Sequence, residues 1–217
     1  MPAKASQPIV CYVTDRKALR NDASVRELLD RIRIAVDAGV DWVQIREKDL
    51  AARELLDLVH ESAATGSARI IVNDRLDVAL AAGADGVHLG HASVPAREVV
   101  AWCRRGNAPP GFLIGVSCHS LEGAKEAESD GASYTYFGPI YETPSKIPFG
   151  KPHGVAELAA VSSAVRIPVI AIGGMNESNA AECLRTGAAG IAAIRMIQCA
   201  EDGAEVKTLV DRIHRGD

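Results

Sequence analysis

Short apolar runs alternate along the chain with longer segments in which apolar residues recur at helical spacing. The short runs are apolar on both faces, which is typical of strands in a parallel sheet that is covered by helices. The longer segments have one apolar face, as at Val25, Leu28, Leu29, Ile32 and Val36. The pattern predicts strands at residues 9–14, 42–45, 69–72, 86–89, 113–116, 134–137, 168–172 and 190–194.

The alternation allows two folds, a closed barrel and a doubly wound open sheet, and a recurring glycine distinguishes between them. Gly39, Gly83, Gly131 and Gly187 each stand between a predicted helix end and the next predicted strand. They mark every second strand, which is expected of a barrel built from repeated units and not of an open sheet. We therefore predict an α/β fold, a single (β/α)8 TIM barrel that forms one domain over residues 1–217.

The composition narrows the functional classes. The 217 residues are 47% hydrophobic and 24% charged, as in ordinary globular proteins, and the net charge of −4 argues against a general nucleic-acid binder. The five cysteines are scattered without a CxxC pair, which favours buried thiols over a disulfide framework or a zinc site. The chain has no apolar run of about 18 residues and no apolar signal segment at its start. We expect a cytoplasmic protein that binds neither nucleic acid nor membrane.

Three polar side chains share one face at the end of the second predicted strand. Gln44, Arg46 and Lys48 alternate with Val43 and Ile45, and alternate residues of a strand point to the same side. Two cations and an amide on an inner face are costly to bury without an anionic partner. An anion-binding site and a structural salt bridge both satisfy them, and this stretch alone leaves the two open.

The other strand ends carry polar residues that a barrel brings to one mouth, where this fold builds its active sites. They are Asp15, Asn73, Asp74, Arg75, His91, Ser93, Ser117, His119, Thr143, Ser145, Lys146 and Arg195. With Arg46 and Lys48, Lys146 predicts a site for a diphosphate. Asp74 supplies the hard oxygen ligand that Mg²⁺ prefers, and the alternative is a salt bridge from Asp74 to Arg46 or Arg75.

Two glycines and two histidines near the predicted strand ends are interpreted in functional or structural terms. Gly173 and Gly174 allow backbone N–H groups to approach a phosphate, or they form a tight turn between strand and helix. His119 is a general acid or base, or a plain polar contact. His88 falls on the inner face of its strand by alternation, where we expect a hydrogen-bonded structural role.

Six motifs, taken in order, resemble those of the thiamine phosphate synthase/TenI superfamily over nearly the whole chain. They are QIREK at 44–48, VNDR at 72–75, GADGVHLG at 83–90, GVSCHS at 115–120, GPIYETPSK at 138–146 and AIGG at 171–174. The resemblance implies a TIM barrel and, for the synthase, a dissociative reaction. A pyrimidine-methyl diphosphate loses diphosphate first, and the nitrogen of a thiazole phosphate then captures the pyrimidine-methyl cation.

For the synthase, the resemblance also implies a set of site residues and Mg²⁺ as the cofactor. The implied catalytic residues are Arg46, Lys48, Ser117, His119 and Lys146. The pyrimidine diphosphate would be bound by Gln44, Arg46, Lys48, Asn73, Ser117 and Lys146, and the thiazole phosphate by Thr143, Ser145, Gly174, Ile194 and Arg195. Asp74 would bind Mg²⁺. The partners are then small phosphorylated substrates, and a homodimer is left open as the assembly.

Two positions depart from the synthase pattern. Ser93 stands where the family usually has an aspartate that is a second metal ligand, and Arg195 stands where it generally has a serine. Arg195 either grips a phosphate or blocks the thiazole-phosphate pocket. A serine at position 93 resembles the pattern of the TenI branch. That branch is a thiazole tautomerase, which acts on thiazole carboxylate phosphate by proton transfer.

The retained polar and charged residues favour the synthase over this tautomerase. A tautomerase requires neither a diphosphate site nor a metal site, whereas the chain keeps residues for both. These residues are Arg46, Lys48, Asn73, Asp74 and Lys146. A barrel that binds a thiazole phosphate without catalysis is the third alternative.

Overall fold

The computed structural model describes residues 7–19, 23–143 and 151–217, and its centre is a closed barrel of parallel strands. Each strand pairs with the next along the chain, and the last pairs with the first, which excludes the open sheet. The strands are β1 (Ile9–Val13), β2 (Trp42–Ile45), β3 (Arg69–Asn73), β4 (Gly86–Leu89), β5 (Leu113–Cys118), β6 (Tyr134–Phe137), β7 (Val169–Ile172) and β8 (Gly190–Ala193). The predicted barrel and all eight predicted strands are confirmed.

Helices follow the strands and cover the outside of the barrel. They are α1 (Arg16–Leu19), α2 (Val25–Asp37), α3 (Ala52–Ala63), α4 (Leu76–Ala81), α5 (Ala96–Trp102), α6 (Leu121–Asp130), α7 (Gly154–Ala164), α8 (Ala180–Arg185), α9 (Arg195–Gln198) and α10 (Gly203–Arg215). A short π-helical segment, Cys103–Asn107, continues α5. None of the helices in the described ranges is long and apolar enough to cross a bilayer.

Local sequence signals explain where several helices begin and how the chain returns to the sheet. Ser24 caps α2 in a reciprocal arrangement with Glu27, and the Ser120 and Asp202 side chains accept hydrogen bonds from the first backbone N–H groups of α6 and α10. The four recurring glycines all have positive φ angles, between 68° and 97°. Glycine adopts this conformation without strain, so the predicted role of these glycines between helix and strand is confirmed.

The core has two parts, one between strands and helices and one inside the barrel. The inner part consists of Cys11, Val13, Trp42, Ile71, Tyr134, Tyr136, Ile170 and Ala192. These side chains fill the barrel and make it a packed core, not a pore. Polar residues on the same inner face lie closer to the carboxyl ends of the strands; they are Gln44, Asn73, His88 and Ser117. The polar mouth therefore lies directly above a packed layer of side chains that includes Trp42, Tyr134 and Tyr136, the aromatic floor of the site.

Candidate active site

Gln44 is buried on the inner face of β2, and only one end of its amide has a partner. Its Nε2 donates a hydrogen bond to Asn73 Oδ1 over 3.1 Å. Its Oε1 is buried and has no hydrogen-bond partner among the described residues. Leaving a buried amide oxygen unpaired is unfavourable, so this atom indicates a place for a hydrogen-bond donor of a ligand.

Hydrogen bonds to Thr14 hold the residues that follow β2, through the backbone of Arg46 and the buried side chain of Glu47. The Thr14 hydroxyl accepts a hydrogen bond from the Arg46 N–H at 2.9 Å and donates to Glu47 Oε1 at 2.7 Å. Glu47 is 5% exposed, and its carboxylate also accepts from the backbone N–H of Arg16. Burial raises the pKa of Glu47, an effect that the Thr14 hydrogen bond opposes. Sequence alternation did not reveal this support, because its partner Thr14 comes from the end of β1.

Arg46 and Lys48 have no salt bridge within the described part of the chain. The nearby Asp49 instead pairs with Arg16 at 2.7 Å and with Lys17 at 3.1 Å. Arg46 is half-buried and Lys48 is exposed. The structural salt bridge that competed with an anion site is therefore absent among these residues, and both cations remain available to a ligand.

Asp74 is exposed and lies at the end of β3 in a conformation that is rare for a residue with a side chain. Its φ angle is 66°, a region that aspartate tolerates better than most residues. Its backbone N–H donates to the His88 carbonyl oxygen over 2.9 Å, which ties the turn to β4. Arg75 does not pair with Asp74, because its guanidinium binds both oxygens of Asp77. The Asp74 carboxylate is thus held at the mouth without a salt bridge among the described residues.

Ser93, at the position of the usual second metal ligand, already accepts a hydrogen bond from the backbone of its own turn. Its Oγ accepts the Gly90 N–H over 2.7 Å and closes the turn after β4. The described residues contain no group of three or more His, Cys, Asp or Glu side chains that would hold a metal ion. Mg²⁺ is commonly bound by one or two carboxylates together with substrate phosphates and water. One free carboxylate at Asp74 fits that arrangement, whereas a preformed metal cage is not present in these residues.

Ser117 is partly exposed at the end of β5 and is bonded to a buried histidine beneath it. Its Oγ lies 2.8 Å from His88 Nε2, and His88 Nδ1 lies 3.1 Å from the Tyr134 hydroxyl. Burial, with a smaller contribution from the charge of Arg46, lowers the pKa of His88 to about 3, so the ring is neutral. The predicted internal role of His88 is confirmed. The sequence analysis missed Tyr134 and Tyr136, although two tyrosines on one face of a buried strand indicate hydroxyls that need partners.

His119 is exposed just beyond β5 and is oriented by the neighbouring strand end. Its Nδ1 is hydrogen-bonded to the Gly138 carbonyl oxygen. A carbonyl only accepts, so in the neutral ring the proton is on Nδ1 and Nε2 is the basic nitrogen. His153 stacks near it, with ring centroids 6.4 Å apart. The geometry allows proton transfer at Nε2 and does not by itself require it.

Gly173 and Gly174 end β7 directly beneath the chain that follows β6. The Tyr141 N–H donates to the Gly173 carbonyl over 3.0 Å. The φ angle of Gly174 is 70°, and a Cβ there would lie 2.7 Å from the Glu142 carbonyl oxygen. The tight turn is therefore present, and the predicted phosphate contact of Gly174 stays a prediction. Thr143 is the last described residue of this loop.

The remaining predicted residues divide between the end of β8 and the undescribed part of the chain. Ile194 is half-buried and precedes α9, and Arg195 is the exposed first residue of that helix. Within the described ranges Arg195 forms no salt bridge, so neither the gripping nor the blocking role is excluded. Ser145 and Lys146 lie outside the described residues, and their roles remain predictions.

Comparisons of the sequence and of the structure with known proteins find similarity to the same family. A family model described as thiamine monophosphate synthase matches residues 10–197. Thiamine-phosphate synthase of Roseiflexus castenholzii is 38% identical, over 93% of this chain and 86% of its own length. The corresponding protein of Moorella thermoacetica is 41% identical, over 82% of this chain and 84% of its own. Among solved structures, thiamine phosphate pyrophosphorylase from Pyrococcus furiosus superposes with a TM-score of 0.79 and 33% identity, covering 94% of this chain and 96% of its own.

Proposed function

The chain belongs to the thiamine monophosphate synthase family, and we infer from this membership that it is a thiamine-phosphate synthase. It couples hydroxymethylpyrimidine diphosphate to a thiazole phosphate and releases diphosphate, which makes it a transferase of a pyrimidine-methyl group. One observation at the site supports this assignment most directly. Arg46 and Lys48 form no salt bridge among the described residues, and Gln44, from the same strand end, has an unpaired Oε1.

The diphosphate leaves before the new bond forms, so the site has to stabilise charge on the leaving group. Arg46 and Lys48 supply positive charge from the end of β2, and we propose that Lys146 adds to it from the loop after β6. Fixed cations stabilise a developing anion well because little reorganisation is needed during the reaction. The hydrogen bond from the Arg46 N–H to the Thr14 hydroxyl fixes the backbone that carries the Arg46 side chain.

The pyrimidine ring binds deeper than the diphosphate, against the polar inner residues. Gln44 presents Oε1 as an acceptor, because its Nε2 is already committed to Asn73. An amino group on the ring would satisfy that oxygen. Ser117, bonded to His88 at the end of the neighbouring β5, offers a second polar contact at the same depth.

The aromatic floor under the mouth protects the reactive cation. Trp42 and Tyr134 pack edge to face, with ring centroids 4.8 Å apart, and Tyr136 lies beside them. Because these side chains fill the barrel below the polar layer, water reaches the pyrimidine-methyl cation only from the mouth. The thiazole nitrogen, once bound at the mouth, therefore competes against little water.

Asp74 is the residue that we propose to hold Mg²⁺, with the diphosphate oxygens and water as its other ligands. When bound there, the ion supplies further positive charge to the leaving diphosphate. Ser93 adds no charge and already accepts a backbone hydrogen bond, so the site relies on Asp74 and on the substrate more than a site with two carboxylates does.

The thiazole phosphate is proposed to lie across the ends of β6, β7 and β8. Thr143 and Ser145 would contact it from the loop after β6, and Gly174, Ile194 and Arg195 from the two following strand ends. Exposed Arg195 would contribute a charge-assisted contact that a serine lacks. The expected cytoplasmic location, the absence of nucleic-acid and membrane partners, and a homodimer also belong to this proposal.

The tautomerase remains the second candidate because of His119. Its hydrogen bond to the Gly138 carbonyl leaves Nε2 as a base at the mouth, and proton transfer is the chemistry that a tautomerase needs. The synthase is preferred because the cations and Asp74 have no role in that reaction.

The deciding experiment incubates purified protein with both phosphorylated substrates and Mg²⁺. We expect thiamine phosphate and diphosphate to appear in equal amounts. Conversion of thiazole carboxylate phosphate to its isomer, with no coupled product above background, would instead identify the tautomerase. Calorimetry with a pyrimidine diphosphate analogue, with and without Mg²⁺, separates a catalyst from a barrel that only binds thiazole phosphate.

A further inference from the structure

Three side chains inside the barrel form a hydrogen-bonded row that ends at the mouth. This row, the Tyr134–His88–Ser117 row, runs from the Tyr134 hydroxyl to His88 Nδ1 at 3.1 Å, and from His88 Nε2 to Ser117 Oγ at 2.8 Å. Tyr134 and His88 are buried, and Ser117 is partly exposed. The row therefore connects a site residue with a polar group that no substrate reaches.

The backbone makes room for this row at Gly115. Gly115 on β5 pairs with His88 on one side and with Tyr134 on the other. A Cβ at Gly115 would lie 2.2 Å from Tyr134 Cζ and 2.6 Å from His88 Nδ1. The contact between the two side chains therefore requires a glycine between them, which indicates a specific arrangement and not chance proximity.

The row has two possible proton arrangements, and they give Ser117 opposite roles. In the first, His88 carries its proton on Nδ1, donates to Tyr134 and accepts from the Ser117 hydroxyl. In the second, Tyr134 donates to Nδ1, and His88 carries its proton on Nε2 and donates to Ser117. Only the second leaves the Ser117 hydrogen available for a ligand, because a hydroxyl has one hydrogen to donate.

Donor and acceptor strengths favour the second arrangement. A phenol hydroxyl is a stronger donor than an aliphatic one, and an imidazole lone pair is a stronger acceptor than a phenol oxygen. Tyr134 donating to Nδ1 therefore pairs the best donor with the best acceptor. Tyr136 packs beside Tyr134 with ring centroids 5.5 Å apart, and its hydroxyl lies 2.9 Å from Cys11 Sγ.

We propose that Tyr134 holds His88 in the Nε2–H tautomer, so that His88 donates to Ser117 and the Ser117 hydroxyl is directed to donate to the substrate. Tyr134 and His88 are then positioning residues, and Ser117 specifies an acceptor atom, such as a ring nitrogen, on the group that binds against it. This inference rests on the proposed function for the identity of that group, a pyrimidine. The tautomer itself belongs to the free protein.

The first test is the tautomer of His88 in the free protein, measured by long-range ¹H–¹⁵N correlation NMR. The His88 signals are assigned by their loss in His88→Gln. We expect a neutral ring whose protonated nitrogen is Nε2, and a proton on Nδ1 would overturn the proposal. Tyr134→Phe should introduce a population with the proton on Nδ1, whereas Tyr136→Phe, an equally buried control, should keep Nε2–H. The same tautomer in both variants would show that Tyr134 does not set it.

The second test is kinetic and asks whether Tyr134 acts through Ser117. Tyr134→Phe should raise the KM for the pyrimidine diphosphate about fivefold, as expected for one net hydrogen bond, and leave the KM for thiazole phosphate unchanged. In a Ser117→Ala background the same substitution should have no further effect. An undiminished effect there, or equal effects on both KM values, would show a general packing role. A wild-type protein that makes no thiamine phosphate would contradict the proposed function, while the NMR result decides the tautomer independently.

Discussion

The Gln44 amide is anchored by Asn73 through one hydrogen bond of 3.1 Å, and this anchor leaves Gln44 Oε1 buried and unpaired. Such an atom lowers the stability of the free protein and is satisfied when a donor binds. We therefore expect Gln44 to lower the free energy of unfolding of the free protein and to strengthen substrate binding.

Replacing Gln44 by methionine removes the unpaired oxygen at similar volume. We expect Gln44→Met to leave the free energy of unfolding unchanged or higher, since an unsatisfied buried polar atom costs about 1–3 kcal/mol. Asn73 loses its donor in this variant, but Asn73 is only half-buried, so water replaces that hydrogen bond. The KM for the pyrimidine diphosphate should rise about tenfold or more, as expected for losing a contact worth about 1.4 kcal/mol. Urea unfolding and steady-state kinetics measure the two effects.

Gln198 provides the matched control for this substitution. It is equally buried, but Tyr12 and the backbone of Asp15 satisfy its amide, with hydrogen bonds of 2.6–3.1 Å. Gln198→Met leaves those partners unpaired, so it should lower the free energy of unfolding by about 2 kcal/mol or more. If both variants are destabilised equally, the Gln44 oxygen has a partner in the free protein.

Asp74→Asn tests the proposed metal ligand while keeping the backbone, because asparagine also tolerates the positive φ angle. We expect the Mg²⁺ concentration for half-maximal activity to rise at least about tenfold, the loss seen even for residues that only support a metal ligand. Excess Mg²⁺ should restore part of the turnover. Asp77→Asn changes a carboxylate that is bound to Arg75, and it should keep the wild-type Mg²⁺ dependence. Equal dependence in all three proteins would remove Asp74 from the metal site.

Gly174→Ala introduces a Cβ at a positive φ angle and against the Glu142 carbonyl oxygen, whereas Gly83→Ala has a similar φ angle, 68°, and open space around it. The conformational cost is about 1–2 kcal/mol at either position. The collision at Gly174 should add about 1–3 kcal/mol of destabilisation and displace the loop after β6. We therefore expect Gly174→Ala alone to raise the KM for thiazole phosphate. Equal unfolding free energies for the two variants would mean that the loop does not rest on Gly174 in solution.

Lys146→Ala and His119→Ala separate the two candidate reactions. The synthase needs positive charge on the leaving diphosphate, so Lys146→Ala should lower its turnover strongly, by roughly a hundredfold or more. Coupling needs no imidazole proton transfer, so His119→Ala should have a much smaller effect on the rate of thiamine phosphate formation. If His119→Ala has the larger effect, proton transfer dominates and the tautomerase is favoured.

The barrel was predictable because its information is local. Eight apolar runs and glycines such as Gly39 and Gly131 each report on a few neighbouring residues, and parallel pairing then follows from chain order. The polar mouth was predictable for the same reason, since Gln44 lies one residue before the end of β2 and Asp74 directly follows β3.

The support beneath the mouth was not predictable because it depends on contacts between strands. Arg46 and Lys48 were predicted from strand alternation to share a face with Gln44, but β2 ends at Ile45, so the alternation does not extend to the side chain of Glu47. Its partner Thr14 is 33 positions away. The contact of Tyr134 with His88 likewise needs the register of three neighbouring strands, which no local pattern contains.

Glu47 should make the stability of the protein depend on pH in a recognisable direction. Burial raises its pKa in the folded state above the ordinary value of 4.5, so the folded protein binds more protons than the unfolded chain between these two values. Stability therefore falls as the pH rises through this window, and the full contribution is present only below about pH 4.5. Glu47→Gln has no such proton to lose, so its unfolding free energy should lack this part of the pH slope in urea titrations. Glu61→Gln, on the exposed face of α3, should keep the wild-type slope because Glu47 is intact. A Glu47→Gln slope equal to that of the wild type would show that the Glu47 carboxyl group titrates alike in both states.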